Sequence, residues 1–322
     1  MGRLGLMNCI SFQGVKGGIG KTTTTTNIAH VCAMAGYKIL VCDQDPQGSA
    51  TELFGTYDSN NVKVKKWDIK NLGLYNLYLK DVDTKKYIFR TRYENIDIIP
   101  NARNVIGDTP FDAVFIKEPG TLREKFCAFY KNLQKIKADY DYIFIDGYPT
   151  NGYITDVLLI ASDFVVTPAL ADRYNINAIA DIVAKIKSLD DTYGRDTLFA
   201  GYFFNQYQPP KDDKDAQDIE DVYKNTFDSI GIEKLETNVR FSKPVAQKSG
   251  FRKMLFVQYN KNSNPARDII SLAEELSLLS EYEDDKKTIK DVNFEIFQKN
   301  LKENNFGLRT DLAQDPKGEE EE

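Results

Sequence analysis

Histidine and cysteine are scarce in this sequence of 322 residues. With one histidine, His30, we expect neither a histidine-based catalytic triad nor a metal site built from several histidines. The four cysteines form no C-x-x-C pair, so we expect reduced side chains in apolar segments rather than a zinc site, an iron–sulfur site or a disulfide scaffold. They are Cys9, Cys32, Cys42 and Cys127.

Long hydrophobic runs are also missing. No apolar run reaches the roughly 18 residues that a membrane-spanning helix needs. Residues 1–13 lack the charged start and long apolar stretch of a secretory signal. Hydrophobic residues make up 42% and charged residues 28% of the chain, which is ordinary for a globular protein. We therefore expect a cytoplasmic protein with no stable membrane association.

Negative charge is concentrated near the end of the sequence. The net charge of −6 comes from residues 281–322, which contain 13 acidic and 7 basic residues, whereas residues 1–280 contain 35 of each. A neutral body leaves room for a basic patch that binds nucleic acid. For residues 281–322 we expect an acidic, partly disordered tail with one short amphipathic segment at 289–297 and disorder beyond Asn304.

Short apolar strands alternate with helical patterns through most of the chain. This alternation predicts an α/β fold over residues 1–280, with a single doubly wound, mostly parallel sheet flanked by helices and a charged C-terminal extension. Residues 58–93 are less regular and predict a peripheral segment. Strands are expected at residues 8–12, 38–42, 96–99, 142–145, 164–167 and 198–204, and helices at 21–35, 122–136, 176–189, 219–230 and 266–279.

A glycine-rich turn between the first strand and the first helix predicts a phosphate-binding loop. Glycines let backbone N–H groups approach phosphate oxygens, and the helix N-terminus adds unpaired donors and a positive dipole end. Lys21 can reach the β- and γ-phosphates of a nucleotide, the Thr22 hydroxyl can ligate Mg²⁺, and Thr23 can donate to the α-phosphate. The nucleotide contacts are expected at Lys16, Gly17, Gly18, Ile19, Gly20, Lys21, Thr22 and Thr23.

Three aspartates follow apolar strands of the predicted sheet. Asp43 and Asp45 stand in the sequence Asp-Gln-Asp-Pro-Gln-Gly after the second strand, and Asp146 ends the strand at 142–145. The carboxyl edge of an open parallel sheet borders the ligand crevice. Asp146 is therefore a candidate ligand for Mg²⁺ or its water shell.

The loop departs from the usual phosphate-loop pattern, and the departure carries a family resemblance. Val15 stands where the pattern has glycine, and a second lysine, Lys16, precedes Lys21 by five residues. This arrangement resembles the deviant Walker A box of the ParA/MinD ATPases. The resemblance implies that ATP and Mg²⁺ are the cofactors and that Lys16 crosses a dimer interface to the partner subunit's nucleotide. It also implies that Asp45 positions the attacking water, with Asp43 holding Mg²⁺ through water.

Other stretches extend the resemblance over roughly residues 8–280. Residues 93–100, 238–250 and 264–276 are similar to further family boxes, although Lys243 departs from the second of them. After Asp146 the family pattern has two prolines, and this chain keeps only the second, with Tyr148 in place of the first. Asn205 ends a strand where family members often contact adenine, so the resemblance implies an adenine contact. A turn residue is the alternative interpretation of Asn205.

Within this family, the chain is most similar to the ParA/Soj-type partitioning ATPases. This similarity implies that the chain forms an ATP-dependent homodimer and that the dimer binds double-stranded DNA non-specifically. It also implies a ParB-like partner that stimulates hydrolysis. Operator-specific binding by this chain alone is not expected. We expect a basic cluster to contact the phosphates of DNA, and an ordinary solvated charged face is the alternative interpretation of that cluster. Residues 63–70 hold a weaker candidate for DNA contact. The expected DNA contacts are Arg240, Lys243, Lys248, Arg252 and Lys253.

Two other functions stay open. A MinD-like positioning switch would use the same dimer on a membrane or a protein complex, although an acidic tail is repelled by anionic lipid. A metabolic ATP-dependent ligase would share the fold but would hold a separate substrate pocket and would not dimerise.

Overall fold

The computed structural model describes residues 8–64, 73–79, 81–101, 121–148, 152–172, 174–209, 214–278 and 287–312. The strands are β1 Cys9–Phe12, β2 Ile39–Asp43, β3 Phe89–Arg90, β4 Ile96–Ile99, β5 Tyr142–Asp146, β6 Phe164–Ala169, β7 Leu198–Tyr207 and β8 Val239–Arg240. The helices are α1 Lys21–Met34, α2 Ser49–Phe54, α3 Tyr75–Leu79, α4 Leu122–Gln134, α5 Tyr153–Ala161, α6 Tyr174–Tyr193, α7 Lys214–Asp228, α8 Lys243–Phe251, α9 Phe256–Asn260, α10 Asn264–Leu278 and α11 Lys287–Glu303.

One sheet of eight strands organises the described part of the chain, in the order β3-β4-β2-β5-β1-β6-β7-β8. Every neighbouring pair is parallel except β3 and β4, which are antiparallel. The expected mostly parallel α/β sheet is confirmed. Strands β2 to β5 lie on one side of β1 and strands β6 to β8 on the other, so the direction in which strands are added to the sheet reverses at β1. A ligand crevice in such a sheet forms outside the carboxyl end of the strands at this point.

The central strands are mostly apolar because both faces of the sheet are covered. In β2, Ile39 and Val41 belong to the hydrophobic core on one face, while Leu40 and Cys42 belong to the core on the other. Helices α1 and α10 pack on the first face, and α4, α5 and α6 on the second. A parallel strand buried on both sides loses the polar alternation of a half-exposed one. Within the described ranges, no helix is long and apolar enough to cross a membrane.

The C-terminal segment differs from what the sequence predicts. The α11 helix packs on α1, and its Phe297 is buried in the same core as the apolar side chains of α1. The Asn300 amide donates to the Met34 carbonyl over 2.8 Å, and the Phe306 carbonyl lies 3.0 Å from Nε2 of His30. The expectation of disorder beyond Asn304 is wrong for residues 305–312.

Sparse apolar residues explain this difference. A segment whose few apolar side chains are spaced among charges looks solvated in sequence, but three of them, Phe297, Leu301 and Phe306, pack on the core. Phe306 and Leu301 pack against the core at its edge, beside Phe297. Residues 313–322, which include the acidic end of the expected tail, lie outside the described residues.

Replacing Phe297 by alanine tests the docking of α11. The change removes a buried aromatic ring, and we expect the free energy of unfolding in urea to fall by about 3–5 kcal/mol. The neighbouring exposed Gln298→Ala is the matched control and should change it by less than about 0.5 kcal/mol. Equal, small effects of both substitutions would show that α11 does not pack as described.

Candidate phosphate-loop site

The turn between β1 and α1 has a backbone that favours glycine at two positions. Gly18 and Gly20 have φ angles of 77° and 92°, in the left-handed region. The turn curls around the start of α1, so that the Lys21 ammonium donates to the Lys16 carbonyl over 2.8 Å. Burial lowers the pKa of Lys21 to about 8, against the opposing effect of Asp146. A polyphosphate would restore the charge-stabilising surroundings that burial removes.

Two side chains from the end of β7 hold this loop in place. The buried Asn205 amide donates to the Ile19 carbonyl over 2.7 Å, and Gln206 donates to the Gly18 carbonyl over 2.7 Å. The Asn205 amide lies so close to Gly20 that a Cβ there would stand 1.8 Å from its nitrogen. The adenine contact of Asn205 stays a prediction. The sequence did not single out Gln206, because an exposed glutamine near the end of a strand carries no sequence signal.

Two buried carboxylates face the loop from neighbouring strands. Asp43 and Asp146 end β2 and β5 in direct register, and both are fully buried. Burial raises the pKa of Asp43 to about 7, although two hydrogen bonds from Thr51, at 2.8 and 2.7 Å, oppose the shift. Burial and the nearby Asp43 also raise the pKa of Asp146, while a hydrogen bond from Thr22 opposes that shift.

The donor set fits a magnesium ion. The Oδ2 atom of Asp146 is buried without a hydrogen-bond partner, and a divalent cation would neutralise two carboxylates that repel each other. Among the described residues no group of three or more His, Cys, Asp or Glu side chains could hold a metal. Mg²⁺ keeps several waters and takes one or two carboxylates together with substrate phosphates. Thr22, Asp43 and Asp146 are the residues that could hold it.

Asp45 lies on the open side of this pair. Its backbone N–H donates to Asp43 over 3.2 Å, and its own carboxylate accepts the Gln47 N–H over 2.8 Å. Asp45 is partly exposed, unlike the fully buried Asp43. The segment at the end of β2 therefore combines a buried carboxylate, Asp43, that supplies charge with a more accessible one, Asp45, that can contact water.

Lys16 is held at the rim of the loop. Its ammonium lies 3.5 Å from the Asp172 carboxylate and 4.9 Å from the centre of the Tyr174 ring, which is 77% exposed. The side chain is about one third exposed, so both contacts are solvent-screened and weak. Lys16 can therefore leave them for a stronger anion.

The predicted DNA-contact residues are not equivalent in the structure. Arg240 makes a bidentate pair with Asp268, with Nη2 2.6 Å and Nε 2.9 Å from its two oxygens. Lys253 lies 2.9 Å from Glu52 of α2, and the Arg252 guanidinium stands 5.8 Å from the centre of the Tyr259 ring. Arg240 is thus fixed by the fold.

The rest of the cluster is exposed. Lys243 and Lys248 are exposed on α8, and Phe251 at its end is 91% exposed. An aromatic side chain among cations is a feature of nucleic-acid surfaces, where it contacts bases or sugars. The weaker candidate at 63–70 lies largely outside the described residues, because the structure describes only Lys63 and Val64 of it.

The fold and this loop define a P-loop nucleotide-binding protein. The sequence profile of the AAA domain family matches residues 7–198. The chain therefore belongs to that family, and the resemblance to the ParA/MinD ATPases is confirmed.

Individual relatives agree with this assignment. The sporulation initiation inhibitor protein Soj of Bacillus subtilis is 28% identical over 83% of this chain and 97% of its own. The fold matches apo McdA of Cyanothece with a TM-score of 0.67, at 16% identity over 84% of this chain and 98% of that one. It also matches the septum site-determining protein MinD of Pyrococcus horikoshii, complexed with Mg-ADP, with a TM-score of 0.60 at 21% identity over 85% and 97%.

Substituting Asn205 by alanine tests the support of the loop. The change leaves the buried Ile19 carbonyl without that donor, which costs about 1–3 kcal/mol, so nucleotide affinity should fall roughly 5- to 150-fold in a fluorescent-nucleotide titration. Gln206→Ala, at an exposed side chain, is the control and should lose less than about threefold.

Comparing ATP with GTP separates the two roles of Asn205. A support role weakens both nucleotides equally, whereas an adenine contact weakens ATP more. Unchanged affinity of Asn205→Ala for both would contradict the support role.

Proposed function

We propose that the chain is an ATP-dependent DNA-partitioning ATPase, whose ATP-bound homodimer binds DNA non-specifically and is released by partner-stimulated hydrolysis. The observation that carries the proposal is the loop itself: a second lysine, Lys16, at the rim precedes a buried Lys21, which interacts electrostatically with Asp146. The Soj and ParA names of the relatives support the partitioning role.

The chain's own residues divide the chemistry between them. The glycine turn and the α1 N-terminus bind the phosphates, and Lys21 neutralises charge on the β- and γ-phosphates. When bound, Mg²⁺ would supply positive charge that stabilises the transferring phosphoryl group. Thr22, Asp43 and Asp146 would hold it, and Asp45 would orient the water that attacks the γ-phosphate. Such catalysis consists almost entirely of positioning and electrostatic stabilisation.

The proposed dimer completes this site with a charge from the other subunit. In a single subunit, Lys16 is retained by the weak contacts to Asp172 and Tyr174. The partner's triphosphate offers a denser negative charge in a site closed to water, where the attraction is stronger. Hydrolysis by the separate subunits should therefore be slow.

The DNA surface of the proposed dimer is formed by α8 and the turn after it. Lys243, Lys248 and Arg252 are exposed there, and contacts to backbone phosphates by such side chains need no sequence preference. Phe251 stands between them and distinguishes this patch from an ordinary solvated face.

Binding to random-sequence duplex DNA tests the proposed function. We expect binding with ATP and Mg²⁺, little with ADP, and a steep loss of affinity between 50 and 200 mM salt, because released counterions drive phosphate contacts. If ATP induces dimers but no DNA binding, the positioning-switch function replaces this one. If ATP induces neither, a ligase-like function on the same fold replaces both.

Charge reversal tests the surface. Lys248→Glu with Arg252→Glu should weaken ATP-dependent DNA binding at least tenfold without changing nucleotide affinity. The matched control is Lys299→Glu at an exposed position of α11, which should bind as the wild type does. Arg240 is a poor probe because its reversal would also break the pair with Asp268. Wild-type DNA affinity of the double variant would remove α8 from the interface.

Replacing Asp45 by alanine tests the hydrolytic role. The partly exposed carboxylate is expected to orient water, so the variant should bind ATP and dimerise but turn over at least about 100-fold more slowly. Phosphate release and light scattering measure the two properties. Normal turnover would refute the role of Asp45.

A further inference from the structure

Asn27 connects the phosphate loop to the basic surface. It lies in the second turn of α1, is 3% exposed, and uses both ends of its side-chain amide. Its Nδ2 donates to the Thr23 carbonyl over 2.7 Å, and its Oδ1 accepts the Phe256 N–H over 2.7 Å. Thr23 is the last residue of the predicted nucleotide contacts, and Phe256 is the first residue of α9.

The Phe256 N–H needs this distant partner. It is one of the N-terminal donors that a helix cannot satisfy internally, and the residue before it, Leu255, has no capping side chain. Asn27 therefore caps α9 from another part of the chain, 229 positions earlier. A buried cap of this kind fixes where α9 begins relative to α1.

Helix α9 in turn determines the position of the turn before it, residues 252–255, which contains the basic residues Arg252 and Lys253. The Met254 N–H donates to the Ser249 carbonyl over 2.9 Å, and the Arg252 N–H donates to the Lys248 carbonyl over 3.1 Å. The Arg252 guanidinium also stands over the ring of Tyr259, within α9. The end of α8, the turn and α9 are thus joined by short-range contacts, and Asn27 links this unit to Thr23 in the first turn of α1, directly after the loop.

We infer that Asn27 is a positioning residue that transmits the occupancy of the phosphate loop to the α8–α9 surface. The inference rests on the proposed function for its biological meaning. Phosphate binding fixes the loop up to Thr23, and a buried amide bonded on both sides makes α9 follow. The basic side chains of α8 would then take different positions with and without nucleotide.

Tyr93 provides a matched control. Its hydroxyl donates to Oε1 of Gln258 over 2.7 Å, so it anchors the same helix α9 to the body of the domain. This contact comes from the segment before β4 and does not involve the loop. Tyr93→Phe and Asn27→Ala each remove one hydrogen bond to α9, but only Asn27→Ala removes the link to Thr23.

The experiment measures hydrogen–deuterium exchange of residues 248–260 in the full chain, with and without Mg²⁺ and ADP. Exchange reports local opening and needs no DNA. We expect at least threefold slower exchange with nucleotide in the wild type and in Tyr93→Phe. In Asn27→Ala the exchange should be the same in both states, while ADP affinity stays within about threefold. Asn27→Leu, which fills the volume, should behave like Asn27→Ala and excludes a cavity effect.

DNA binding then connects the link to function. In Asn27→Ala the ratio of DNA affinities with ATP and ADP should fall towards one. The inference is overturned if Asn27→Ala keeps the wild-type exchange response, if Tyr93→Phe loses it equally, or if the wild type shows none. A wild type that shows the response but binds no DNA refutes the proposed function and leaves the link standing.

Discussion

The repulsion between Asp43 and Asp146 is the constraint on which the rest of the site depends. Parallel pairing of β2 and β5 places the two carboxylates in register, and the helices on both faces exclude water from them. Each is compensated from a different direction, Asp43 by Thr51 and Asp146 by Lys21 and Thr22. The loop, the start of α2 and the centre of the sheet are therefore coupled through charge.

Regular packing made the centre of the fold predictable. Strands buried on both faces appear as mostly apolar runs, and the strand at 96–99 was predicted with its observed bounds although it contains Asp97. The short elements were not predicted. Two-residue strands such as β3 and β8 form because a neighbouring strand edge offers backbone partners, and no pattern of two residues signals this.

Site residues divide in the same way. Lys16, Lys21 and the aspartates could be found because their chemistry requires particular side chains at fixed offsets from a strand. Gln206, Thr51 and Asn27 act by supporting other residues, and each has a partner 8 to 229 positions away. Only the folded chain brings such pairs together. The segment at 305–312 belongs to this group, because its contacts are made with the backbone of a distant hairpin.

That segment also changes what the margin of the sheet offers to other molecules. The Gly307 carbonyl accepts the Glu94 N–H over 2.6 Å, the Arg309 N–H donates to the Arg92 carbonyl over 2.9 Å, and Tyr93 pairs with Leu308 in an antiparallel bridge. Unpaired backbone at a sheet margin is a template on which another chain can add a strand. Here residues 307–309 already pair with the backbone of residues 92–94. Another chain therefore cannot add a strand at 92–94, and the aggregation that follows from strand addition is prevented there.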